Sequence, residues 1–86
     1  MELHLKWAVE CAGGTTYKVV SPGRRGMADR VVCLPNGNMH FVELKTKGGR
    51  LSAQQKLFAA DMARLGQRYA CLWTKEGVDQ WLKKVL

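Results

Sequence analysis

An Asn-Gly pair, Asn36-Gly37, constrains the fold of this chain more than any other feature of its sequence. Both residues tolerate the positive φ that a tight hairpin turn needs, and apolar, β-branched runs flank them. The pattern therefore predicts two antiparallel strands, residues 29–34 and 39–45, joined by a turn over residues 35–38. It follows that residue 29 and residues 43–45 lie close together at the open end of the hairpin.

Helical patterns lie on both sides of this hairpin. Apolar residues at helical spacing predict a first helix over residues 2–12, which two glycines end, and a β-branched run predicts a strand over residues 15–20. Ser52 and Gln55 form a capping box that begins a second long helix. A fourth strand over residues 68–73 and a last helix capped by Thr74 complete the pattern.

The resulting order is α-β-β-β-α-β-α, within a single domain over residues 1–86. This order predicts an α/β fold with a four-stranded mixed sheet flanked by helices, in which the last strand lies parallel to an earlier one. Trp7, Trp73 and Trp81 lie on the apolar stripes, so we expect all three to be core residues.

The charge of the chain is strongly positive. The chain has fourteen Lys and Arg residues and seven Asp and Glu residues, which gives a formal net charge of +7. An excess of this size on a small protein favours a polyanionic partner such as DNA. No apolar run of about 18 residues is present to span a membrane, and the first residues lack the pattern of a signal peptide. We therefore expect a cytoplasmic protein with no membrane partner.

Three scattered cysteines, Cys11, Cys33 and Cys71, form no C-x-x-C pair. A zinc ribbon is therefore not expected, whereas a mixed site that uses His4 or His40 stays open. The simpler interpretation is that the cysteines are small, reduced side chains in or near the core.

Two carboxylates and a lysine meet at the open end of the predicted hairpin. Side chains on a strand alternate between faces, so Glu43 and Lys45 point to one side and Leu44 to the other, with Asp29 nearby. Two carboxylates can hold Mg²⁺ or Mn²⁺, which activates water, and the backbone carbonyl of Leu44 is available as a further ligand. The lysine adds a fixed positive charge. The set predicts phosphodiester hydrolysis; the competing interpretation is a solvated cross-strand Glu–Lys pair.

Three segments together resemble the VRR-Nuc domain, a family of the PD-(D/E)xK nuclease superfamily whose small stand-alone members are common in bacteriophages. They are SPGRRGMADR at residues 21–30, FVELK at 41–45 and GGRLSAQQ at 48–55. The resemblance covers nearly the whole chain and implies a restriction-endonuclease-like core. It also implies that Asp29 and Glu43 bind the metal and that Lys45 is the catalytic lysine. Ala28 departs from the pattern, since the family often has proline there.

The resemblance assigns two further residues to the site. Gln55 matches a glutamine that helps to organise the site, although its sequence position also fits a role as helix cap alone. Glu2 matches a glutamate of the first helix that contributes to the metal environment. Glu10, on the same helix, is the alternative acidic residue.

DNA is the partner that the charge and the resemblance both indicate. Six basic residues cluster in sequence around the predicted site and would contact phosphates: Lys18, Arg24, Arg25, Arg30, Lys47 and Arg50. Resemblance to stand-alone members further implies an endonuclease, encoded by a phage or a bacterium, that acts as a homodimer on branched DNA, especially four-way (Holliday) junctions. A non-catalytic DNA-binding module and a nuclease that prefers flaps or duplexes are the alternatives.

The second copy of a homodimer would need an apolar surface. The first and last helices are the expected sources of this surface, through Leu3, Trp7, Val78, Trp81, Leu82 and Val85.

Overall fold

The computed structural model describes residues 1–20, 23 and 26–86, so the predictions for Arg24 and Arg25 lie outside the described residues. Its elements are α1 (Glu2–Cys11), β1 (Thr15–Lys18), β2 (Arg30–Leu34), β3 (Asn38–Leu44), α2 (Ala53–Arg64), β4 (Tyr69–Leu72) and α3 (Lys75–Val85). The predicted order α-β-β-β-α-β-α is therefore confirmed.

The four strands form one mixed sheet in the order β1-β2-β3-β4. The first three strands are antiparallel, and β4 lies parallel to β3, as predicted for a strand that follows a helical crossover. The turn between β2 and β3 has positive φ at both Asn36 (67°) and Gly37 (72°), which is the conformation that this dipeptide favours. The register then places Arg30 opposite Val42, with Asp29 just beyond the paired residues.

The main core lies between one face of the sheet and the two helices α1 and α3. It consists of nine buried apolar residues: Leu5, Ala8, Val9, Val32, Leu34, Val42, Leu72, Val78 and Leu82. On the other face, Phe58 of α2 packs edge-on against Phe41 of β3, with ring centroids 5.5 Å apart, and at 5.9 Å from Tyr69 of β4. No residue of α2 is fully buried, so this second layer is thinner than the first.

Two of the three tryptophans are exposed, so the prediction that all are core residues was wrong. Trp7 is 62% exposed and Trp73 is 42% exposed. The helix α1 carries two apolar stripes, and the one formed by Leu5, Ala8 and Val9 is buried, since Ala8 and Val9 allow closer packing than Trp7 would. Trp81 is half-buried and packs edge-on against the ring of His40.

The last helix offers a second copy less apolar surface than expected. Val78 and Leu82 are buried in the core of the chain itself, and Val85 packs against that core. Leu3 and Trp7 of α1 do remain exposed. Of the two helices expected to form a dimer surface, α1 therefore contributes more exposed apolar side chains than α3.

The cysteines and histidines form no metal site among the described residues. Cys11 is exposed, and Cys33 and Cys71 are half-buried free thiols. His4 pairs with Asp79 at 2.8 Å, and His40 contacts the side-chain oxygen of Asn38 at 2.7 Å. Within residues 1–20, 23 and 26–86, no group of three or more His, Cys, Asp or Glu side chains is placed to hold an ion. In the same residues, no helix combines the length and apolar character required to cross a membrane.

Candidate active site

The open end of the hairpin brings the two predicted carboxylates together. Asp29 immediately precedes β2, and its Oδ2 accepts a hydrogen bond at 3.2 Å from the backbone amide of Leu44. This bond fixes the Asp29 carboxyl at the end of β3, where Glu43 lies. The Asp29 carboxyl therefore faces Glu43 and helps to raise the pKa of that residue.

Glu43 is the most enclosed charged residue that the structure describes. The residue is only 2% exposed, and its Oε1 is buried without a hydrogen-bond partner. Its Oε2 lies 3.4 Å from the Nε2 donor of Gln55 and 3.8 Å from the Nζ of Lys45. Both distances are long for polar contacts, so the carboxylate is only partly satisfied by its protein neighbours.

The pKa of Glu43 is raised from 4.5 to about 7, mainly by burial and in addition by the neighbouring Asp29 carboxyl. The Lys45 ammonium acts in the opposite direction but is outweighed. Ionising both of two facing carboxyl groups costs free energy. A shared proton avoids this cost, and a bound cation offsets it. The pair is therefore suited to a cation.

The backbone of β3 also faces this position. In a strand, the amide and the carbonyl of one residue point toward the same neighbouring strand. The amide of Leu44 points to Asp29, whereas the amide of Lys45 donates to Leu72 of β4 at 2.9 Å. The carbonyl of Leu44 consequently lies on the Asp29 side, where it is available as the ligand that the sequence suggested.

Gln55 caps α2 and also approaches Glu43. Its Oε1 accepts from the amide of Ser52 at 2.8 Å, and the Ser52 hydroxyl accepts from the amide of Gln55 at 3.1 Å, which completes the predicted capping box. The other end of the same amide group, Nε2, faces Glu43. The two interpretations of Gln55 are thus compatible, because the cap fixes the side chain that approaches the carboxylate.

Glu2 is placed differently from Asp29 and Glu43. Its carboxylate forms an ion pair with Arg30 at 3.0 Å. The hydrogen bond and the positive charge of Arg30 lower the pKa of Glu2. Arg30 in turn is largely buried, with its side chain 13% exposed. Glu10, the alternative, is exposed on α1. Among the described residues, neither glutamate forms a three-carboxylate group with Asp29 and Glu43.

The remaining basic residues lie on the surface. Lys18 ends β1, and Lys47 and Arg50 lie in the connector between β3 and α2; all three are exposed. They are free to contact a polyanion, whereas Arg30 is engaged with Glu2.

The sequence analysis missed the contribution of β4 to this face of the sheet. Cys71 lies opposite Glu43 in the parallel register, and burial together with the Glu43 charge raises its pKa. Trp73 follows two residues later, and its Nε1 donates to the carbonyl of Gly49 at 2.8 Å. Strand alternation would have placed both residues beside Glu43 and Lys45, but only once the register between β3 and β4 was known.

Two comparisons with known proteins agree with this geometry, although no family model matches the chain. The chain is 44% identical over 72 residues to a protein described as "Putative nuclease p44" from Acyrthosiphon pisum secondary endosymbiont phage 1; the match covers 84% of this chain and 77% of that protein. It also superposes on a solved structure described as a "VRR_NUC domain" with a TM-score of 0.89 and 25% identity. That superposition covers 95% of this chain and 89% of the other.

Proposed function

Because this chain belongs to the VRR-Nuc family of nucleases, we propose that it is a divalent-metal-dependent endodeoxyribonuclease that hydrolyses phosphodiester bonds. The observation that carries this proposal is the enclosed Glu43 carboxylate, which faces Asp29 and has one oxygen without a partner. An enclosed carboxylate beside a second one is unfavourable unless a proton or a cation joins them. A divalent cation would satisfy both groups at neutral pH.

Asp29 and Glu43 would hold Mg²⁺ or Mn²⁺, with the backbone carbonyl of Leu44 as a further oxygen ligand. Hard cations prefer such oxygen donors. When bound, the metal would lower the pKa of a coordinated water and neutralise charge on the phosphate. Glu2 is a proposed contributor to the metal environment, and it would have to exchange its ion pair with Arg30 for the cation.

Lys45 and Gln55 would support the carboxylates in different ways. Lys45 would present a fixed positive charge to the phosphate on which negative charge develops. Its ammonium is held near Glu43, at 3.8 Å, and is not free in solvent. Gln55 would keep the Glu43 carboxylate in position through its Nε2, because its own orientation is fixed by the capping box.

DNA would be held by phosphate contacts that position it without reading its sequence. The net charge of +7 favours this partner. The proposed contacts are Lys18, Arg24, Arg25, Arg30, Lys47 and Arg50. Arg30 is the exception in this set, because it would have to release Glu2 before it could contact a phosphate.

We extend the proposal to a homodimer that acts on branched DNA, above all four-way junctions, in the cytoplasm of a bacterial host. Resolving a junction takes two matched cuts, and the described residues of one chain form one such carboxylate pair. Leu3 and Trp7 on α1 and Leu86 after α3 are exposed apolar side chains that a second copy could cover. A shallow depression of about 350 Å³, lined in part by Trp7 and Leu86, lies on this surface.

The deciding experiment is cleavage of a four-way junction, a flap, a duplex and a single strand while Mg²⁺ or Mn²⁺ is titrated from zero. The wild-type chain should cut only with metal and should cut the junction fastest. Asp29→Asn and Glu43→Gln each remove a negative ligand at nearly constant volume, so cleavage should be lost while folding and DNA binding remain. Glu76→Gln, an exposed carboxylate on α3, is the matched control and should cut like the wild type.

Each part of the proposal can fail separately. Near-normal cleavage by Asp29→Asn or Glu43→Gln would remove that residue from the metal site. Tight DNA binding without cleavage under either metal would favour the non-catalytic DNA-binding module. Faster cleavage of the flap or the duplex would replace the junction as substrate and leave the metal site unaffected.

A further inference from the structure

Trp73 lies beside the candidate active site but is not among the residues proposed to bind the metal or the phosphates. It follows β4 directly, two residues after Cys71, the partner of Glu43 in the parallel register. Its indole Nε1 donates to the carbonyl of Gly49 at 2.8 Å. Gly49 in turn lies against Lys45, since a Cβ placed on that glycine would be 3.6 Å from the Lys45 Cβ. These contacts place the indole next to the lysine that we assign to the phosphate.

The indole is both exposed and fixed in orientation. Trp73 is 42% exposed, which is a large fraction for a tryptophan. Its only polar group is already bonded to the backbone, so the exposed part of the ring is an apolar π surface. If Trp73 served only to anchor the connector through its Nε1 hydrogen bond, its ring would not need to be exposed to solvent.

The surroundings indicate what kind of ligand would cover the ring. The indole is bonded to the basic connector, whose Lys47 and Arg50 are exposed. Aromatic side chains within a positively charged groove are typical of surfaces that bind unpaired nucleotides, because every base has a π face for stacking. A base inside an intact duplex has both faces covered by its neighbours, so only an unpaired or unstacked base could stack on Trp73.

We propose that Trp73 stacks on an unpaired or unstacked base next to the scissile phosphate and thereby favours DNA with a branch point or single-stranded segment over intact duplex. The inference rests on the proposed nuclease function and makes its substrate class more specific. It places the selectivity for branched DNA within one chain, so it does not depend on a dimer.

The first test compares equilibrium binding of three substrates in EDTA, which removes divalent metal and so prevents the proposed cleavage. They are a four-way junction, a flap, and a duplex closed by hairpins at both ends. Trp73→Leu should weaken binding of the junction and the flap by about tenfold, the size expected for loss of one stacked base. Binding of the closed duplex should change less than about twofold. Trp73→Phe keeps an aromatic ring without the indole N–H and should retain most of the affinity.

Trp7→Leu is the matched control, because Trp7 is also exposed but lies on α1, which packs on the opposite face of the sheet. It should leave the affinities for the flap and the closed duplex unchanged; the junction is not compared for this variant, because Trp7 belongs to the surface proposed for a second copy. The second test reads the ring directly: a short single-stranded DNA should quench tryptophan emission of the wild type and of Trp7→Phe, but much less that of Trp73→Phe. This measurement decides the matter even if Trp73→Leu folds poorly.

Several results would overturn the inference. An equal loss of affinity for closed duplex and branched DNA would make Trp73 a general contact. A defect in Trp73→Phe as large as in Trp73→Leu would reduce its role to the hydrogen bond with Gly49. Unchanged quenching in Trp73→Phe would exclude stacking. If the wild type bound branched DNA through Trp73 but never cleaved it with Mg²⁺ or Mn²⁺, the nuclease proposal would fail while the stacking proposal stood.

Discussion

Replacing Glu43 by Gln should make the metal-free protein more stable at neutral pH while it abolishes cleavage. Glu43 is 2% exposed and faces Asp29, so its ionised form is disfavoured in the folded chain. Glutamine has nearly the same shape and carries no charge. The substitution therefore removes an enclosed charge without leaving a cavity.

The magnitude follows from the pKa of Glu43, which rises from an ordinary 4.5 to about 7 on folding. One pKa unit corresponds to about 1.4 kcal/mol, so ionising this carboxyl costs about 3 kcal/mol more in the folded chain than in the unfolded one. Because the folded state holds the proton more tightly, this stability is fully present below pH 4.5 and is lost as the pH rises through 7. At pH 8 in EDTA, Glu43→Gln should unfold with a free energy about 3 kcal/mol higher than the wild type, and at pH 4.5 the two should nearly coincide.

Urea unfolding of the wild type, Glu43→Gln and Glu76→Gln in EDTA, at equal protein concentration and at several pH values, measures this difference. In thermal unfolding the same effect should appear as a rise of more than about 10 °C in the Tm of Glu43→Gln at pH 8. Glu76→Gln, the exposed control on α3, should follow the pH dependence of the wild type. Parallel pH profiles for the wild type and Glu43→Gln would refute the argument that this carboxyl is strained by burial and by Asp29.

Three further predictions concern the loop, the charge and the assembly. Gly26→Ala should lower the free energy of unfolding by at least about 1–2 kcal/mol in urea titrations, because Gly26 has a φ of +84° and its Cβ would collide with the backbone carbonyl of Gln54. A Gly23→Ala variant, whose Cβ would meet nothing within 4 Å, is its control. Combined Arg24→Ala and Arg25→Ala should flatten the salt dependence of DNA binding by roughly one unit per lost phosphate contact, and an unchanged slope would mean that they do not touch the backbone. Sedimentation at micromolar concentration should give about twice the 9.7 kDa chain mass, and a monomer both alone and on junction DNA would remove the paired-incision mechanism.

The features that sequence predicted best are those with local causes. Asn36-Gly37 specifies its turn through the φ angles of the two residues alone, and the turn then fixes the β2–β3 register. Ser52 and Gln55 form their capping box within a single helical turn. Because the hairpin register follows from the turn, the proximity of Asp29 to the Glu43 end of β3 could be predicted without knowing any long-range contact.

The features that sequence predicted poorly depend on contacts between distant segments. The two apolar stripes of α1 look alike in sequence, and only the packing of the sheet and α3 shows that Leu5 is buried while Trp7 is exposed. The position of Trp73 depends on the parallel β3–β4 register and on the fold of the connector. The pairing of Glu2 with Arg30 likewise joins α1 to the start of β2. None of these contacts leaves a local pattern in the chain.

The different packing of the two faces of the sheet explains how the fold can keep an unfavourable carboxylate pair. The face against α1 and α3 contains the apolar core, with Val32 and Val42 fully buried, and it supplies most of the hydrophobic stabilisation. The opposite face carries Glu43, and its helix α2 buries no residue completely. The core packed against α1 and α3 thus fixes the positions of the strands. The two carboxylates therefore cannot relieve their repulsion by moving apart without disturbing that core. A proton or a cation is the remaining way to relieve it, which is why the metal-free stability should depend on pH and why Mg²⁺ or Mn²⁺ should restore that stability at neutral pH.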